Sequence, residues 1–368
     1  MAKDLSILIV SPRYYPHVGG VEYVVKSITE RLAKMGYDVI VLAGEPRAEK
    51  PYEEMINEVR VIRWPTWAPG DAYHIPKMKN RLESTLKELI RDADVVHIHS
   101  AHAILPVHIG IKMKELKSDA RLIFTLHYHA HGHTLTRELA WRTLWRKYVR
   151  KLVRYADKIH AISSVEAERI TNHYPEARDK LIIIPNGIEE DVLQYKWKGQ
   201  NSDYIMYAGR IEKYKRLEVA VDLIAELNRR GHYLRLLIVG QGSHLPKLKQ
   251  YVQNKARNKV EFMSPLPRKD YLGFIANALA VINPSHHEAF SIFIAESLAI
   301  GTPAIVSCTI AKIYKQVKTE PSPFLIELQP ILSKYKLTIL ANDNRKIIKT
   351  WDNIVKDLLC GVYLDASI

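Results

Sequence analysis

Segments in which a helix leads directly into a buried strand recur along this chain, and this recurrence restricts the fold more than any other feature. Three clear examples read ERLAKMGYDVIVLAG at 30–44, KELIRDADVVHIHS at 87–100 and NRRGHYLRLLIVGQG at 228–242. Each joins an amphipathic, charged stretch to a short apolar run. Strands that alternate with helices in this way form parallel sheets with helices on their faces. The chain is therefore predicted to be an α/β protein.

The length of the chain predicts two domains. Its 368 residues exceed a typical single domain and fit two domains of about 170–190 residues each. A hydrophobic content of 47% is enough for two cores. No uncharged apolar window is long enough for a membrane-spanning helix or a signal peptide. The two cysteines, Cys308 and Cys360, indicate a reducing compartment, so a cytoplasmic location is expected.

Two glutamates separated by seven residues are the most informative candidate site residues. Glu288 and Glu296 lie in HHEAFSIFIAESLAIGTPAIVS at 286–307. We expect Glu288 to follow a buried strand, and Glu296 to lie two turns into a helix on nearly the same face. Ligands of open α/β sheets bind at such strand-to-helix crevices. Two carboxylates, which only accept hydrogen bonds, suit a hydroxyl-rich ligand such as a ribose and a sugar.

The alternative for this pair is a solvated helix face, which is the usual meaning of two acids eight residues apart. Two features oppose it. The intervening FSIFIA is apolar, and SLAIGTPAIV reads as the end of a helix, a glycine stop and a buried strand. A second motif upstream also supplies the opposite charge.

That second motif is YAGRIEKYKRLEVAVDLIAEL at 207–227, a strand that leads through a glycine into an amphipathic helix. Gly209 permits a tight turn at the end of the strand. Arg210 offers a planar fork for phosphate oxygens, and Lys215 offers a mobile point charge. Together they are suited to a diphosphate and to the charge that grows as it leaves. The alternative is chance, because basic residues are frequent in a chain with 54 lysines and arginines.

Together the two motifs resemble those of retaining glycosyltransferases of the GT-B fold, in family 4, which is also called group 1. The resemblance covers most of the chain, and its further motifs are SPRYYPHVGGVEYVVKSITERLAKMGYDVIVLAG, DADVVHIHSAH, LIFTLHYH, IIIPNGIEED and LRLLIVGQGS. It implies two Rossmann-like domains whose parallel sheets face each other across a deep cleft. The implied divisions are an acceptor-binding domain at 1–188, a nucleotide-sugar-binding domain at 189–348 and a C-terminal helix at 349–368 that crosses back to the first domain.

The resemblance also implies a role for each matching residue. Arg210 and Lys215 would bind the donor diphosphate, Glu296 the ribose and Glu288 the transferred sugar. Gly19 and Gly20 would bring backbone amides close to the phosphate and the acceptor, and His127 would lie near the reacting sugar. The backbone amides of Phe290 and Ser291 would contact phosphate, and the adjacent Ala289 would also belong to the substrate site. For Phe290 and Ser291 the phosphate role also follows from the unpaired N–H groups and the dipole at a helix N-terminus.

The implied activity is that of a retaining hexosyltransferase. The donor would be a UDP-, GDP- or ADP-sugar, the acceptor a carbohydrate or a lipid-linked hydroxyl, and no cofactor or metal would be needed. The sequence departs from the family at Ala289, where a glycine is common, and after Ser307, where a Gly-Gly turn is missing. This erosion leaves two alternatives open, a non-catalytic relative that binds a nucleotide-sugar or a membrane, and another GT-B enzyme such as an epimerase.

The net charge of +14 raises the question of an anionic partner. No nucleic-acid-binding motif is visible, and a nucleotide-diphosphate site explains the charge more simply. The stretch RELAWRTLWRKYVRKLVRYADK at 137–158 combines eight basic and two acidic residues with an aromatic stripe. Such a helix either lies on an anionic membrane, making the protein peripheral on its inner face, or packs its stripe on the first domain. The oligomeric state is not readable.

Eight of the 16 histidines lie between His97 and His133 and give the chain a metal-like signature. Each of the two clusters, HIHSAH and HYHAHGH, is expected at the end of a buried strand, where alternate residues point to opposite faces. No face collects three ligands within one cluster, although the two clusters would meet if their strands were neighbours. A role for His127 in lining the site is favoured over a metal site.

Overall fold

The computed structural model describes residues 5–17, 19–69, 73–116, 119–128, 145–315, 317, 323–341 and 348–364. Their contacts divide the chain into two compact units. Unit 1 comprises the described residues of 1–186 and 351–368, and unit 2 those of 187–350. Each unit is built around its own sheet, as the alternating pattern of helices and strands predicts.

The sheet of unit 1 has nine strands in the order β3-β4-β2-β1-β6-β7-β8-β9, with β5 paired to β4. All neighbouring pairs are parallel except β3–β4 and β4–β5. The direction of winding reverses between β1 and β6, which makes a switch point there. The strands are β1 Ser6–Ser11, β2 Asp38–Glu45, β3 Tyr52–Ile56, β4 Val59–Trp67, β5 Ile75–Pro76, β6 Val95–His99, β7 Arg121–Thr125, β8 Lys158–Ala161 and β9 Leu181–Ile183.

Helices cover both faces of this sheet, which explains why its central strands are apolar on both sides. Successive residues of β1 enter different cores, Leu8 and Val10 on one face and Ile7 and Ile9 on the other. The described helices among residues 20–173 are α1 Gly20–Lys34, α2 Lys79–Arg91, α3 Ile104–Glu115, α4 Arg146–Tyr155 and α5 Ser164–His173, and a 3₁₀ turn follows at Pro175–Lys180.

For the basic stretch at 137–158 the structure describes residues from Trp145 onward and supports the packed alternative. Trp145, Tyr148 and Tyr155 pack against the core of unit 1, and the hydroxyl of Tyr148 lies 3.1 Å from His108 Nδ1. Lys151 and Arg154 form ion pairs with Glu115 and Glu176. The aromatic stripe is thus occupied by protein contacts within the described part. Trp141 and the rest of 137–144 lie outside the described residues.

Unit 2 contains a six-stranded sheet in the order β12-β11-β10-β13-β14-β15. Only β14–β15 is antiparallel. Its strands are β10 Tyr204–Ala208, β11 Arg235–Val239, β12 Val260–Met263, β13 Ala280–Asn283, β14 Ala304–Ser307 and β15 Leu337–Leu340. The described helices are α6 Leu217–Arg229, α7 Leu245–Lys255, α8 Arg268–Asn277, α9 Ile292–Ile300, α10 Cys308–Ile313, α11 Pro323–Glu327 and α12 Gln329–Lys334, with 3₁₀ turns at Glu190–Gln194 and Lys213–Lys215.

The C-terminal helix α13, Trp351–Leu358, and the π-helical turn Leu359–Tyr363 belong to unit 1. Trp351, Ile354 and Val355 share a core with α1, and Arg31 Nε lies 2.5 Å from Asp352 Oδ1. The predicted return of the chain to the first domain is therefore confirmed, as is the α/β fold with two parallel-sheet domains. Among the described helices, none has the length and apolar character needed to cross a bilayer. Cys308 and Cys360 are both free.

Candidate functional site

The two motifs follow neighbouring strands at the switch point of the unit 2 sheet. The Arg-Lys motif continues from β10 and the glutamate pair follows β13, and these strands are adjacent and parallel. Because carboxyl ends of parallel strands lie at one edge, the loops 209–216 and 284–291 flank the crevice in which ligands of open α/β sheets bind. Ser285 Oγ, 3.4 Å from Tyr214 O, joins the two loops, as does a contact between Arg216 and His286.

The structure brings Lys215 and Glu288 into direct contact. Lys215 Nζ lies 2.5 Å from Glu288 Oε1, and the two side chains are 15% and 8% exposed. Burial lowers the pKa of Lys215, but the carboxylate of Glu288 and the neighbouring tyrosines more than offset it, so the pKa lies above its ordinary value. The lysine is therefore a permanent buried cation beside a carboxylate.

Arg210 is exposed on the loop that leaves β10, and Tyr214 contacts both Arg210 and Lys215. Arg210 Nη2 lies 3.1 Å from Tyr214 Oη, and Lys215 Nζ lies 5.1 Å from the centre of the Tyr214 ring. Gly209 has a φ of +148°, which side-chain-bearing residues rarely adopt. A Cβ at Gly240 would overlap the carbonyl oxygen of Gly209, so the glycine after β11 is needed for the loop to pass.

The glutamates take different positions from those expected along the helix. Helix α9 begins only at Ile292, so Glu288 lies in the preceding loop and Glu296 is the fifth helical residue. The prediction that Glu296 lies two turns into the helix is therefore wrong, and the face argument does not apply to Glu288. The helix starts late because Ser291 is its cap residue, with an extended backbone at φ −118° and ψ 100°.

The segment before α9 is anchored at Ser291. Asn283 Nδ2 donates to Ser291 Oγ at 3.1 Å, and the hydroxyl of Tyr314 donates to Ser291 O at 2.7 Å. The Tyr314 ring also packs on Phe290, with ring centres 5.6 Å apart. This tyrosine belongs to the region after Ser307 in which the sequence departs from the family pattern. Ala289, Phe290 and Ser291 thus lie directly before the N-terminus of α9, next to Glu288.

Glu296 is 2% exposed, and both of its oxygens are engaged. Arg268 Nη1 donates to Oε1 at 2.6 Å, and the Tyr271 hydroxyl donates to Oε2 at 2.6 Å. Arg268 also binds Asp191 through Nε and Nη2, each at 2.9 Å. Burial raises the pKa of Glu296 above its ordinary value, and Arg268 and Tyr271 offset this only in part. Arg268 is thus the shared cation of two carboxylates, Asp191 and Glu296.

These partners of Glu296 were not identified from the sequence. Arg268 and Tyr271 lie in PRKDYLGF, which has no distinctive pattern, and Asp191 ends the motif IIIPNGIEED, in which no site role was assigned to it. Tyr314 was missed for the same reason. The one available signal is an amphipathic helix at 268–277 that places an arginine and a tyrosine three residues apart, hence on one face.

In unit 1 the Gly-Gly loop lies at the carboxyl end of β1, at the switch point of its sheet. Gly19 is the extended cap of α1, and Gly20 is the first helical residue. A Cβ on Gly19 would overlap the carboxylate of Glu22, whereas Gly20 faces open space. A side chain at Gly19 would therefore require the Glu22 carboxylate to move, and neither glycine is enforced by a backbone contact. Glu22 Oε1 in turn lies 3.2 Å from Arg13 Nε.

His127 follows β7 and lies in a group of buried histidines. Its Nε2 is 3.1 Å from Nδ1 of His99, on the neighbouring strand β6, so the two histidine clusters do meet. Burial holds the pKa of both side chains well below the ordinary histidine range, so both are neutral. The backbone N–H of the next residue, Tyr128, donates to Glu166 Oε1 at 2.5 Å, and that of Ile162 donates to Oε2 at 2.7 Å.

A second buried array runs through this sheet. His160 Nε2 donates to Ile184 O at 2.8 Å, so its Nδ1 accepts from the Thr125 hydroxyl at 2.8 Å. Thr125 Oγ1 lies 2.6 Å from His97 Nε2, and His97 Nδ1 lies 2.7 Å from the Tyr363 hydroxyl. The array ties the end of the chain to the sheet. Within the described residues, no group of three or more His, Cys, Asp or Glu is placed to hold a metal ion; His129, His131 and His133 lie outside them.

Comparison with protein families gives two matches that follow one another along the chain. Residues 18–192 match the family described as Glycosyltransferase Family 4, and residues 192–326 match Glycosyl transferases group 1. Glycogen synthase from Mycobacterium tuberculosis is 25% identical over 332 residues, which cover 82% of this chain and 78% of that protein. The GDP-mannose-dependent alpha-mannosyltransferase from Mycolicibacterium smegmatis is 24% identical over 311 residues, covering 82% and 79%.

Solved structures show the same fold. A sucrose-phosphate synthase from Thermosynechococcus elongatus superimposes with a TM-score of 0.70 at 17% identity, covering 96% of this chain and 97% of that one. Anabaena HepE, in its complex with UDP-glucose, gives a TM-score of 0.62 at 15% identity, covering 98% and 95%. At these identities the likeness concerns the fold alone.

Proposed function

Because the chain belongs to glycosyltransferase family 4, the group 1 glycosyltransferases, we propose that it moves a hexose from a nucleotide-diphosphate sugar to a hydroxyl acceptor, with retention at the anomeric carbon and without a metal ion. The observation that carries this proposal is the buried contact of Lys215 with Glu288 at the switch point of unit 2. It joins the cationic motif to the acidic motif at the place where an α/β sheet binds its ligand.

The donor diphosphate is assigned to Lys215 and Arg210. Lys215 supplies a fixed cation at the crevice, and exposed Arg210 supplies a planar fork that Tyr214 orients. The backbone N–H groups of Ala289, Phe290 and Ser291 precede the α9 N-terminus, where an anion is favoured. Two side-chain cations and a helix end can then balance the diphosphate charge that a metal ion balances elsewhere.

The sugar and the ribose are assigned to the two glutamates. Glu288 would accept hydrogen bonds from hydroxyls of the transferred hexose, since it stands next to the diphosphate cation. Glu296 would accept from the ribose hydroxyls. Each is buried beside a cation, Glu288 beside Lys215 and Glu296 beside Arg268, and a carboxylate paired in this way can accept hydrogen bonds from hydroxyl groups.

Unit 1 is assigned the acceptor. Gly19 and Gly20 would present backbone amides at the N-terminus of α1, and His127 would face the reacting sugar as a neutral side chain. In the transfer, the acceptor oxygen forms a bond to the anomeric carbon as the bond from that carbon to the diphosphate oxygen breaks. The acceptor proton passes to the leaving phosphate. Attack on the face that the diphosphate leaves gives retention.

The relatives indicate which donors to test. HepE was solved with UDP-glucose, and the relative from Mycolicibacterium smegmatis is named as dependent on GDP-mannose. The proposed donors of this chain are accordingly a UDP-, GDP- or ADP-sugar, and the acceptor is a carbohydrate or a lipid-linked hydroxyl.

The test is a thermal-shift panel of UDP-glucose, GDP-mannose, ADP-glucose, UDP, GDP and ADP, each with and without EDTA. A ligand at about 100 times its Kd should stabilise the protein by about 2.7 kcal/mol. We expect one base to shift the wild-type protein in EDTA and to fail with Glu296→Ala. The matched control is Glu327→Ala, which removes an exposed acid of the same unit. No shift with any nucleotide would contradict the proposal.

Transfer is then measured by incubating the donor that binds with a set of sugar and lipid-linked acceptors, and by reading the product's anomeric configuration by NMR. A product of inverted configuration would refute retention. Binding without transfer to any acceptor or to water would favour the second candidate, a nucleotide-sugar-binding relative, which the divergent region after Ser307 motivates.

A further inference from the structure

Arg268 lies between two carboxylates of unit 2, and its guanidinium is divided between them. Nε and Nη2 form a two-pronged contact with Asp191, at 2.9 Å each, and Nη1 contacts Glu296 at 2.6 Å. Asp191 belongs to the turn Glu190–Gln194, whereas Arg268 is the first residue of α8. The two bonds to Asp191 therefore hold the guanidinium in place and direct Nη1 at the buried Glu296.

We propose that Arg268 is a positioning residue that keeps Glu296 ionised and oriented as the acceptor for the ribose hydroxyls of a nucleoside diphosphate. The inference rests on the proposed function, because it takes Glu296 as the ribose ligand. It adds to that function a residue outside both sequence motifs.

The environment of Glu296 explains why a cation is needed. At 2% exposure, a carboxylate without a compensating charge takes up a proton, and it then donates a hydrogen bond where it should accept one. The groups that face it are Arg268 and Tyr271 of α8, Asp191 of the preceding turn and Tyr314 after α10. Among these, Arg268 is the only cation, and both Asp191 and burial favour the protonated form.

Within the part of the chain that the structure describes, the contacts of Glu296 leave room for a ligand. An ionised carboxylate has about four lone-pair positions, two on each oxygen. Arg268 uses one position on Oε1 and Tyr271 one on Oε2. One position per oxygen is left, which matches a ribose diol that donates one hydroxyl to each. Arg268 and Tyr271 thus set the plane of the carboxylate without blocking it.

The experiment measures the Kd of UDP, GDP and ADP, and of their 2′-deoxy forms, between pH 5.5 and 8.5. The proteins are wild type, Arg268→Gln, Arg268→Lys and Asp191→Asn. For Arg268→Gln we expect the affinity for the nucleotide to be about tenfold or more lower at pH 6 than at pH 8.5, because Glu296 without its cation takes up a proton over this range. At low pH this variant should also stop distinguishing the ribonucleotide from its 2′-deoxy form.

The two other variants separate charge from scaffold. Arg268→Lys keeps the cation and should restore binding at low pH. Asp191→Asn removes a negative charge that opposes ionisation of Glu296, so its affinity should stay independent of pH. An equal loss at every pH in Arg268→Gln and Asp191→Asn would mean a scaffold role and would overturn the inference, as would wild-type binding by Arg268→Gln.

Failure of the proposed function has a different result. If no nucleotide binds the wild-type protein, the ribose assignment of Glu296 fails and this inference falls with it. If the wild type binds and Arg268→Gln binds equally at all pH values, only the inference fails. If Arg268→Gln does not fold, Arg268→Lys carries the comparison, because a steep loss of its affinity at low pH would overturn the role of the charge.

Discussion

At the scale of single residues, the contact of Lys215 with Glu288 is both a stability and a site feature. Both side chains are largely buried, so each charge depends on the other for compensation. Removing one partner of a buried pair leaves an unpaired charge and typically costs about 3–5 kcal/mol, whereas replacing both is far less costly. Substitutions at either position therefore change more than catalysis.

We predict that Lys215→Met and Glu288→Gln each lower the free energy of unfolding by about 3 kcal/mol, and that the double variant is less destabilised than the sum of the two. Urea unfolding of the four proteins measures this coupling. Additive losses would show that the two side chains are compensated independently. All three variants should lose transfer activity.

In unit 1, the buried residues His160 and Glu166 make stability depend on pH in opposite directions. Burial lowers the pKa of His160 from 6.5 to about 4, and it raises the pKa of Glu166 from 4.5 to about 7. Between pH 4 and 6.5 the unfolded chain binds the extra proton at His160, so stability from this residue rises with pH. Between pH 4.5 and 7 the folded chain binds the extra proton at Glu166, so stability from that residue falls with pH.

Each of these effects amounts to about 3 kcal/mol over its full window. We predict that His160→Gln makes unfolding free energy increase less between pH 4.5 and 6.5 than in the wild type, and that Glu166→Gln makes it increase more. Urea titrations followed by tryptophan fluorescence report on this, because five of the six tryptophans belong to unit 1. If the unfolding free energy of both variants changed with pH as it does in the wild type, the assigned protonation states would be contradicted.

At the scale of elements, the start of α9 depends on the divergent region after Ser307. Tyr314 donates to the carbonyl of the cap residue Ser291 and packs on Phe290. The chain has no glycine between Gly301 and Gly361, so this region supplies a buried aromatic anchor in place of a flexible turn. The segment 289–291 that we assign to phosphate is held from both sides, by Asn283 and by Tyr314.

Tyr314→Phe should therefore weaken nucleoside diphosphate binding several-fold while lowering the free energy of unfolding by only about 1 kcal/mol, because a single hydrogen bond is lost and the ring stays. Titration with the diphosphate and with the corresponding nucleoside, which lacks phosphates, separates the two parts of the ligand. The control is Tyr335→Phe, which removes a hydroxyl bonded to the carbonyl of Asp222 in the same unit. Equal loss of nucleoside affinity would contradict a phosphate role.

At the scale of the whole molecule, the two units have separate hydrophobic cores. The cores of unit 1 lie on the two faces of its sheet and include α13, whereas unit 2 has a core of its own with members between residues 205 and 339. Separate cores permit each unit to unfold as a cooperative unit of its own.

We predict that a nucleoside diphosphate alone protects unit 2 and leaves unit 1 unchanged. Hydrogen exchange followed by mass spectrometry should show slower exchange in peptides of β10, β13 and α9, with β1 and β6 unaffected. Calorimetry should show two unfolding transitions, and the nucleoside diphosphate should raise the midpoint temperature of only one of them. Equal protection of both sheets would contradict the assignment of the donor to unit 2.

The α/β class, the two parallel sheets and the positions of both motifs could be predicted from the sequence, because periodicity and turn residues are local properties. The return of the last helix was implied by the resemblance to the family. Three strand pairings, β3–β4, β4–β5 and β14–β15, are antiparallel and were not foreseen, since pairing direction depends on long-range contacts. The pattern also placed Glu296 too deep in its helix, because the cap at Ser291 is set by Asn283 and Tyr314, which lie far from it in sequence.

Which charges compensate one another depends on long-range folding and not on local sequence. Glu288 is 73 residues from Lys215, and Glu296 is 28 residues from Arg268. Neither spacing forms a local pattern, so neither pair is visible in the sequence, and Arg268, Tyr271 and Asp191 were missed. Burial at the switch point makes each of these charges require a partner, and folding of distant strands and helices supplies it.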